Sequence, residues 1–181
     1  MDVIPTQLPD VLIIGPQVVA DDHGIFFESL KQKALNHAAG LNVTFEQENH
    51  SKSKKKVRRG LRGQVQELKC KLVLAVQGAV FNVAVDVCRG NSSFGRWAGE
   101  FRSTENKRQK GKSGGFAYGF LTLSETAELL YVTTDYYMPL NERFLAWDDG
   151  ELALVLPICG VPAVSSKDTV GRLHGDLRGN Q

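Results

Sequence analysis

Short apolar runs alternate with glycine-containing turns along most of the chain, and long amphipathic helical patterns are rare. The clearest run covers residues 80–87, where odd-numbered apolar side chains would lie on one face of a strand and even-numbered ones on the other. A second strand-like run, residues 71–76, precedes it across Gln77 and Gly78. A glycine between two such runs predicts a β-hairpin with Gly78 in its turn.

The remaining pattern adds several strands and one helix. Further strands are predicted at residues 11–14, 43–47, 116–123, 128–134 and 144–147. A helix is predicted over residues 28–39, because its apolar side chains have helical spacing and Gly40 follows as a stop signal. Many short strands with frequent turns predict an all-β sandwich or barrel. We expect a single domain over residues 1–181, with a polar tail after about residue 170.

Composition narrows the functional classes without identifying one. The 181 residues carry a net charge of +2, which is too balanced to indicate nucleic acid or an anionic membrane as a partner. We expect no signal peptide, and no apolar run approaches the ~20 residues of a membrane helix. The three cysteines form no CxxC pair and the four histidines are scattered, so neither a disulfide framework nor a metal site is predicted. Reduced thiols favour a cytoplasmic location.

Two basic segments resemble functional motifs only weakly. Residues 51–59 form the densest basic stretch, which is typical of a solvated loop, although a nuclear signal or a phosphate-binding strip is the alternative. Arg59 is the exception, because it opens a strand-like segment and would face inward. Gly111-Lys112-Ser113 matches the end of a P-loop, but Asn106 replaces the required earlier glycine. A mobile basic loop is therefore the better interpretation of this second segment.

Many strings, taken in order, resemble the dTDP-4-dehydrorhamnose 3,5-epimerase family from Ile4 to about Gly171. They include Gly24-Ile25-Phe26-Phe27-Glu28-Ser29, Asn49-His50-Ser51-Lys52-Ser53, Arg59-Gly60-Leu61, Val80-Phe81-Asn82-Val83-Ala84-Val85-Asp86, Gly115-Phe116-Ala117-Tyr118-Gly119-Phe120 and Thr134-Asp135-Tyr136-Tyr137. The resemblance implies a cupin-type jelly-roll β-sandwich with a few short helices, assembled as a homodimer. It implies neither a metal nor an organic cofactor.

The resemblance also implies a reaction and the residues for it. The family inverts C3 and C5 of a dTDP-4-keto-6-deoxyhexose in rhamnose-type biosynthesis, which requires a base, a proton donor and a cation near the enolate oxygen. Tyr131 matches the donor, Lys71 the cation and Asp168 the carboxylate that orients the base. Substrate-binding positions of the family fall at Glu28, Gln47, Asn49, Arg59, Tyr137, Glu142 and Lys167. They also fall at His23 and Tyr118, which replace an arginine and a histidine of the family pattern.

The chain departs from the family pattern at the base, where Arg62 replaces a histidine. A guanidinium remains protonated at ordinary pH, so it cannot accept a proton. We expect Arg62 to pair with Asp168 and the dual-epimerase activity to be reduced. Asn82 replaces an aspartate, and residues 110–113 replace an apolar segment with what we expect to be a flexible basic loop.

Two other functions are left open by these departures. One is a single-centre isomerase in which Tyr131 or Lys71 serves as the base. The other is a non-catalytic homologue that binds a nucleotide sugar or assists a pathway enzyme.

Overall fold

Two antiparallel β-sheets pack face to face in a computed structural model that describes residues 1–64, 70–112, 114–158, 160–165 and 168–169. The first sheet has the strand order β1 (Asp2–Pro5), β2 (Val11–Gly15), β10 (Gln109–Lys112), β7 (Lys71–Gln77), β12 (Thr126–Thr133) and β5 (Gln47–Lys54). The second has the order β13 (Glu142–Phe144), β6 (Val57–Gln64), β11 (Phe116–Thr122), β8 (Ala79–Asp86) and β9 (Trp97–Ser103).

The remaining elements are small. Strand β14 (Ala163–Val164) runs parallel to β6, and β3 (Val18–Asp21) pairs only with β4 (Gly24–Phe27) in a separate two-stranded ribbon. Helix α1 covers Gln32–Ala39, and a 3-10 turn covers Pro139–Asn141. Among the described residues, no helix is long and apolar enough to cross a membrane. The prediction of an all-β, jelly-roll-type sandwich is confirmed.

The predicted hairpin at Gly78 is wrong, because β7 and β8 belong to different sheets. Strand β7 pairs with β10 and β12, whereas β8 pairs with β9 and β11. Gly78 has φ 71°, and a Cβ atom there would lie 2.1 Å from the carbonyl oxygen of Thr126. Only glycine fits such a conformation so close to another strand, so Gly78 forms a corner between the sheets rather than a hairpin turn.

Several other predicted elements begin or end at different residues in the structure. Helix α1 begins at Gln32 rather than at residue 28, because Leu35 is the residue that packs into the core, and it ends at Gly40 as predicted. Of residues 43–47 only Gln47 is in a strand, and of residues 144–147 only Phe144 lies in β13. The alternation in residues 80–87 is confirmed, but both faces of β8 are buried.

Both basic segments are mostly strand, and within residues 51–59 only Lys55 and Lys56 form a turn. The segment at residues 51–59 divides into the end of β5 and the start of β6, and Lys52 and Lys55 form ion pairs with Glu128 and Glu125. Residues 110–112 belong to β10, which lies between β2 and β7. The expected flexible loop is therefore wrong at these positions, and Ser113 lies outside the described residues, as do Cys159 and the tail from residue 170.

Candidate functional site

A cavity of about 400 Å³ lies between the two sheets. The first sheet contributes side chains from β5, β7 and β12, while the second contributes β6, β8 and β11. The lining residues are Gln47, Asn49, Ser51, Arg59, Gly60, Arg62, Lys71, Val73, Asn82, Tyr118, Gly119, Phe120, Leu129, Tyr131, Thr133, Asp135, Tyr137 and Glu142. Most residues that the family resemblance singled out therefore meet in one place.

Strand register explains how the first sheet positions its polar side chains. Tyr131 is paired with Asn49 on one neighbour and Val73 on the other, and Thr133 is paired with Lys71. Side chains two residues apart on a strand lie on the same face, and directly paired residues share that face. Tyr131 and Lys71 consequently face the same cavity, although 60 positions separate them in sequence.

An irregularity in β6 brings Arg59 and Arg62 to the same face. Tyr118 is paired with Arg62 and Phe120 with Arg59, so three residue steps on β6 oppose two on β11. Such a bulge re-aims the following side chains. Gly60 occupies it with φ 90°, where a Cβ would lie 2.2 Å from the carbonyl oxygen of Tyr118.

The predicted ion pair between Arg62 and Asp168 is confirmed. Arg62 Nη2 lies 2.8 Å from Asp168 Oδ1, and Arg62 Nε donates a hydrogen bond to the same oxygen at 2.9 Å. The Arg62 side chain is 33% exposed, whereas that of Asp168 is fully buried. The guanidinium also stands 5.2 Å from the Phe144 ring centroid and 3.7 Å from Glu142 Oε1. This geometry fixes a cation at the position that the family gives to its base.

Asp168 has hydrogen-bond donors besides Arg62. The backbone N–H of Gly60 donates to Asp168 Oδ1 at 3.2 Å, and Ser165 Oγ donates to Oδ2 at 2.7 Å. A buried carboxylate needs such donors, because an unpaired charge away from water is costly. The orientation of Asp168 therefore does not depend on Arg62 alone.

Burial raises the pKa of the Tyr131 phenol above its usual value of 10.0. The charges of Arg59 and Arg62 oppose this increase, and the charge of Glu142 adds to it. A phenol whose pKa is raised remains protonated throughout the neutral range. Tyr131 is thus suited to donate a proton and poorly suited to accept one.

Polar side chains at the cavity mouth hold one another in place. Gln47 Nε2 donates to Asn49 Oδ1 at 2.8 Å, and the backbone N–H of Tyr137 donates to Gln47 Oε1 at 3.1 Å. Tyr137 Oη donates to Glu142 Oε2 at 3.1 Å, and this contact and burial raise the pKa of Tyr137. These amide, hydroxyl and carboxylate groups can present several hydrogen-bond donors and acceptors to a ligand.

Two implied binding residues do not line the cavity of their own chain. His23 lies at the tip of the β3–β4 ribbon with its side chain 95% exposed, and Glu28 pairs with Lys31 at 3.0 Å. Lys167 lies outside the described residues. Within the described part of the chain, no group of three or more His, Cys, Asp or Glu side chains is arranged to hold a metal ion.

Three polar lining residues, Ser51, Thr133 and Asp135, were not singled out as site residues from the sequence. Thr133 follows Tyr131 by two positions, so the strand period would have placed it on the same face. Asp135 belongs to a string that resembles the family, Thr134-Asp135-Tyr136-Tyr137, which was the available signal. Ser51 lies in the basic stretch that predicted a loop, and its available signal was the family-like string Asn49-His50-Ser51-Lys52-Ser53.

Comparison with known proteins gives consistent matches over nearly the whole chain. The family model described as dTDP-4-dehydrorhamnose 3,5-epimerase matches residues 5–174. The enzyme of that name from Pseudomonas aeruginosa is 48% identical over 169 residues, covering 93% of each chain. The one from Salmonella typhimurium is 47% identical, covering 96% of this chain and 95% of its own.

A solved structure extends this similarity to the fold. The dTDP-6-deoxy-D-glucose-3,5-epimerase of Legionella pneumophila, crystallised with dTDP-4-keto-L-rhamnose, superposes with a TM-score of 0.93 at 39% identity. The match covers 97% of this chain and 96% of that one.

Proposed function

The chain belongs to the dTDP-4-dehydrorhamnose 3,5-epimerase family, and on that basis we propose that it epimerises a dTDP-4-keto-6-deoxyhexose at C3, C5 or both. The observation that carries this proposal is the shared cavity of Lys71, Tyr131 and the nucleotide-binding candidates Gln47, Asn49 and Arg59. The product would serve dTDP-deoxysugar synthesis of the rhamnose type, and the catalyst would work in the cytoplasm.

The chemistry assigns separate tasks to two cavity residues. Removal of a proton next to the C4 ketone leaves negative charge on the ketone oxygen, and the Lys71 ammonium is the cation that stabilises it. Tyr131 then returns a proton to the opposite face of the carbon, because its raised pKa keeps the phenol protonated. Inversion follows when the proton leaves one face and arrives at the other.

Arg62 affects the step in which the substrate loses its proton. A guanidinium paired with Asp168 and close to Glu142 has no free lone pair, so it orients or attracts the substrate instead of deprotonating it. We therefore propose slow epimerisation relative to family members that have a histidine at this position, with solvent water in the cavity as the weaker base that takes the proton.

A second candidate function is favoured by the same ion pair. The chain would bind a dTDP-sugar without turning it over, because the nucleotide-binding candidates are in place whereas the base position is occupied by a cation. Binding without proton exchange would support this function, and exchange at either carbon would support the first.

We also propose a homodimer in which the β3–β4 ribbon reaches the partner's cavity. The ribbon exposes four large apolar side chains, of which Phe26 is 70% exposed, the others being Val18, Val19 and Ile25. His23 and Glu28, which the family resemblance assigns to the nucleotide, stand on or beside this ribbon and away from their own cavity. A second copy of the chain would cover the apolar surface and receive both residues.

The deciding experiment is proton exchange. Purified protein is incubated with dTDP-4-keto-6-deoxyglucose in deuterated water, and the loss of the C3 and C5 proton signals is followed by NMR. Exchange accompanied by inversion, with the inversion greatly slowed by Tyr131→Phe, would support the epimerase. Absence of exchange at both carbons, with dTDP binding retained in calorimetry, would reject the epimerase in favour of the binding protein.

A further inference from the structure

Two cations are fully buried inside the sandwich, behind one wall of the substrate cavity. Arg102 on β9 has 0% relative exposure and Lys110 on β10 has 2%. Lys110 Nζ lies 5.8 Å from the centroid of the Tyr118 ring, and Tyr118 lines the cavity. The two cations themselves do not line it, so they form a separate internal cluster.

The hydrogen-bonding capacity of this cluster is mostly unused. Arg102 Nη1 donates to the carbonyl oxygen of Val73 at 3.0 Å, but Arg102 Nε, Arg102 Nη2 and Lys110 Nζ have no hydrogen-bond partner in the described structure. Glu100 is the carboxylate whose charge acts on both cations, and its side chain is bound by Arg108 at 2.7 Å. Neither buried cation forms an ion pair with a described carboxylate.

Such an arrangement is electrostatically incomplete. Buried charges in proteins are normally paired and hydrogen-bonded, because desolvation of an isolated charge is expensive. Burial lowers the pKa of Arg102 to about 9 and lowers that of Lys110 well below its usual value of 10.5. The neighbouring charge of Arg102 lowers the pKa of Lys110 further. A negative charge between them would offset the desolvation of Arg102, the desolvation of Lys110 and the repulsion between the two cations.

We propose that Arg102 and Lys110 form an internal binding site for one small monovalent anion with the size and charge of chloride. Three unused donors on two cations match an acceptor that carries negative charge and has no directional demand. Water satisfies donors but supplies no counter-charge. The site is independent of the proposed epimerase activity.

Crystals grown in sodium bromide provide the direct test, since bromide replaces chloride and scatters anomalously. The expected result is an anomalous peak within hydrogen-bonding distance of Lys110 Nζ and of Arg102, in the wild type and not in Lys110→Leu. Ordered water at this place without an anomalous peak would overturn the proposal.

Stability measurements test the same site in solution. In denaturant unfolding at constant ionic strength, replacing gluconate with chloride should increase the folding constant by up to about tenfold for each tenfold rise in chloride. Lys110→Leu should abolish this chloride-specific increase, whereas the exposed control Lys33→Leu should retain it. Equal chloride dependence in wild type and Lys110→Leu would overturn the proposal, and so would a bromide peak without any linkage to stability, which would mark an adventitious ion only.

Discussion

Replacing Arg62 with histidine should restore a base where the family places one. Asp168 keeps Gly60 N–H and Ser165 Oγ as donors when the guanidinium is removed, so its carboxylate stays oriented. The new imidazole can donate one N–H to Asp168 and leave its other nitrogen free for the substrate. The perturbation therefore adds a proton acceptor without dismantling the surrounding structure.

The size of the effect follows from these contacts. A positioned general base contributes typically about 10²–10⁴-fold in rate, so we expect a gain of that order in C3 and C5 exchange. Asn82, which replaces the family's aspartate, would limit the recovery. Stability should fall by about 1.5–3 kcal/mol, the range for hydrogen bonds to a charged group, because Arg62 gives up two contacts with Asp168.

The assay compares wild type, Arg62→His and the control Arg62→Gln, which removes the charge without adding a base. Deuterium exchange at C3 and C5 is followed by NMR at several pH values, and unfolding curves verify that the variants are folded. The rate of Arg62→His should rise with pH through the imidazole pKa, which is ~6.5 when unperturbed and higher beside a carboxylate.

Two results would refute this reasoning. A wild type that exchanges both protons as fast as Arg62→His would show that the missing histidine does not limit the rate. An equal gain in Arg62→Gln would show that the cation was inhibitory in itself and that no base had been restored.

Four more outcomes are expected. Tyr131→Phe should slow inversion, followed by NMR of the epimeric products, by about 10²–10⁴-fold while dTDP binding in calorimetry stays unchanged. Arg59→Gln should weaken dTDP binding by about tenfold or more, because a charge-assisted phosphate contact is lost; unchanged affinity would remove Arg59 from the nucleotide site. Phe26→Asp should give a monomer in light scattering, and a dimer of undiminished stability would contradict the ribbon interface. In halide-free buffer Lys110→Met should be more stable than wild type, by a margin that shrinks as pH rises toward 10.5. The folded-state pKa of this buried amine is lowered, so wild type gains up to about 1.4 kcal/mol of stability per pH unit as the amine loses its charge. A stability margin independent of pH would contradict the burial argument.

The sequence predicted the fold class because strands that carry apolar side chains, such as β8 and β12, show a recognisable two-residue pattern. It did not predict β5, whose inward side chains Gln47, Asn49 and Ser51 are polar because they face a cavity instead of a core. Hydrophobic period cannot detect such a strand. The error at Gly78 has a different cause, because a turn glycine does not reveal whether the flanking strands pair with each other. That pairing depends on distant strands, β12 for β7 and β11 for β8.

The sequence predicted one of the buried charged contacts but not the other. The ion pair of Arg62 with Asp168 was expected from two motif positions 106 residues apart and is present. The burial of Lys110 was not expected, since lysine is almost never fully buried without a partner. Its local sequence, Lys110-Gly111-Lys112, is typical of a loop, and only the pairing of β10 between β2 and β7 draws it into the sandwich.

The charged groups of the cavity favour ligand binding but do not favour proton abstraction. Arg59, Arg62 and Lys71 give it three cationic side chains, which suit a diphosphate and an enolate oxygen equally well. Arg62, however, is bound to Asp168, and the raised pKa of Tyr131 keeps the phenol protonated. Both residues that face the reacting carbon in this scheme therefore start the reaction carrying protons. A site of this kind can bind its anionic ligand but has no base to deprotonate it. One substitution at Arg62 should therefore change the exchange rate far more than the dTDP affinity.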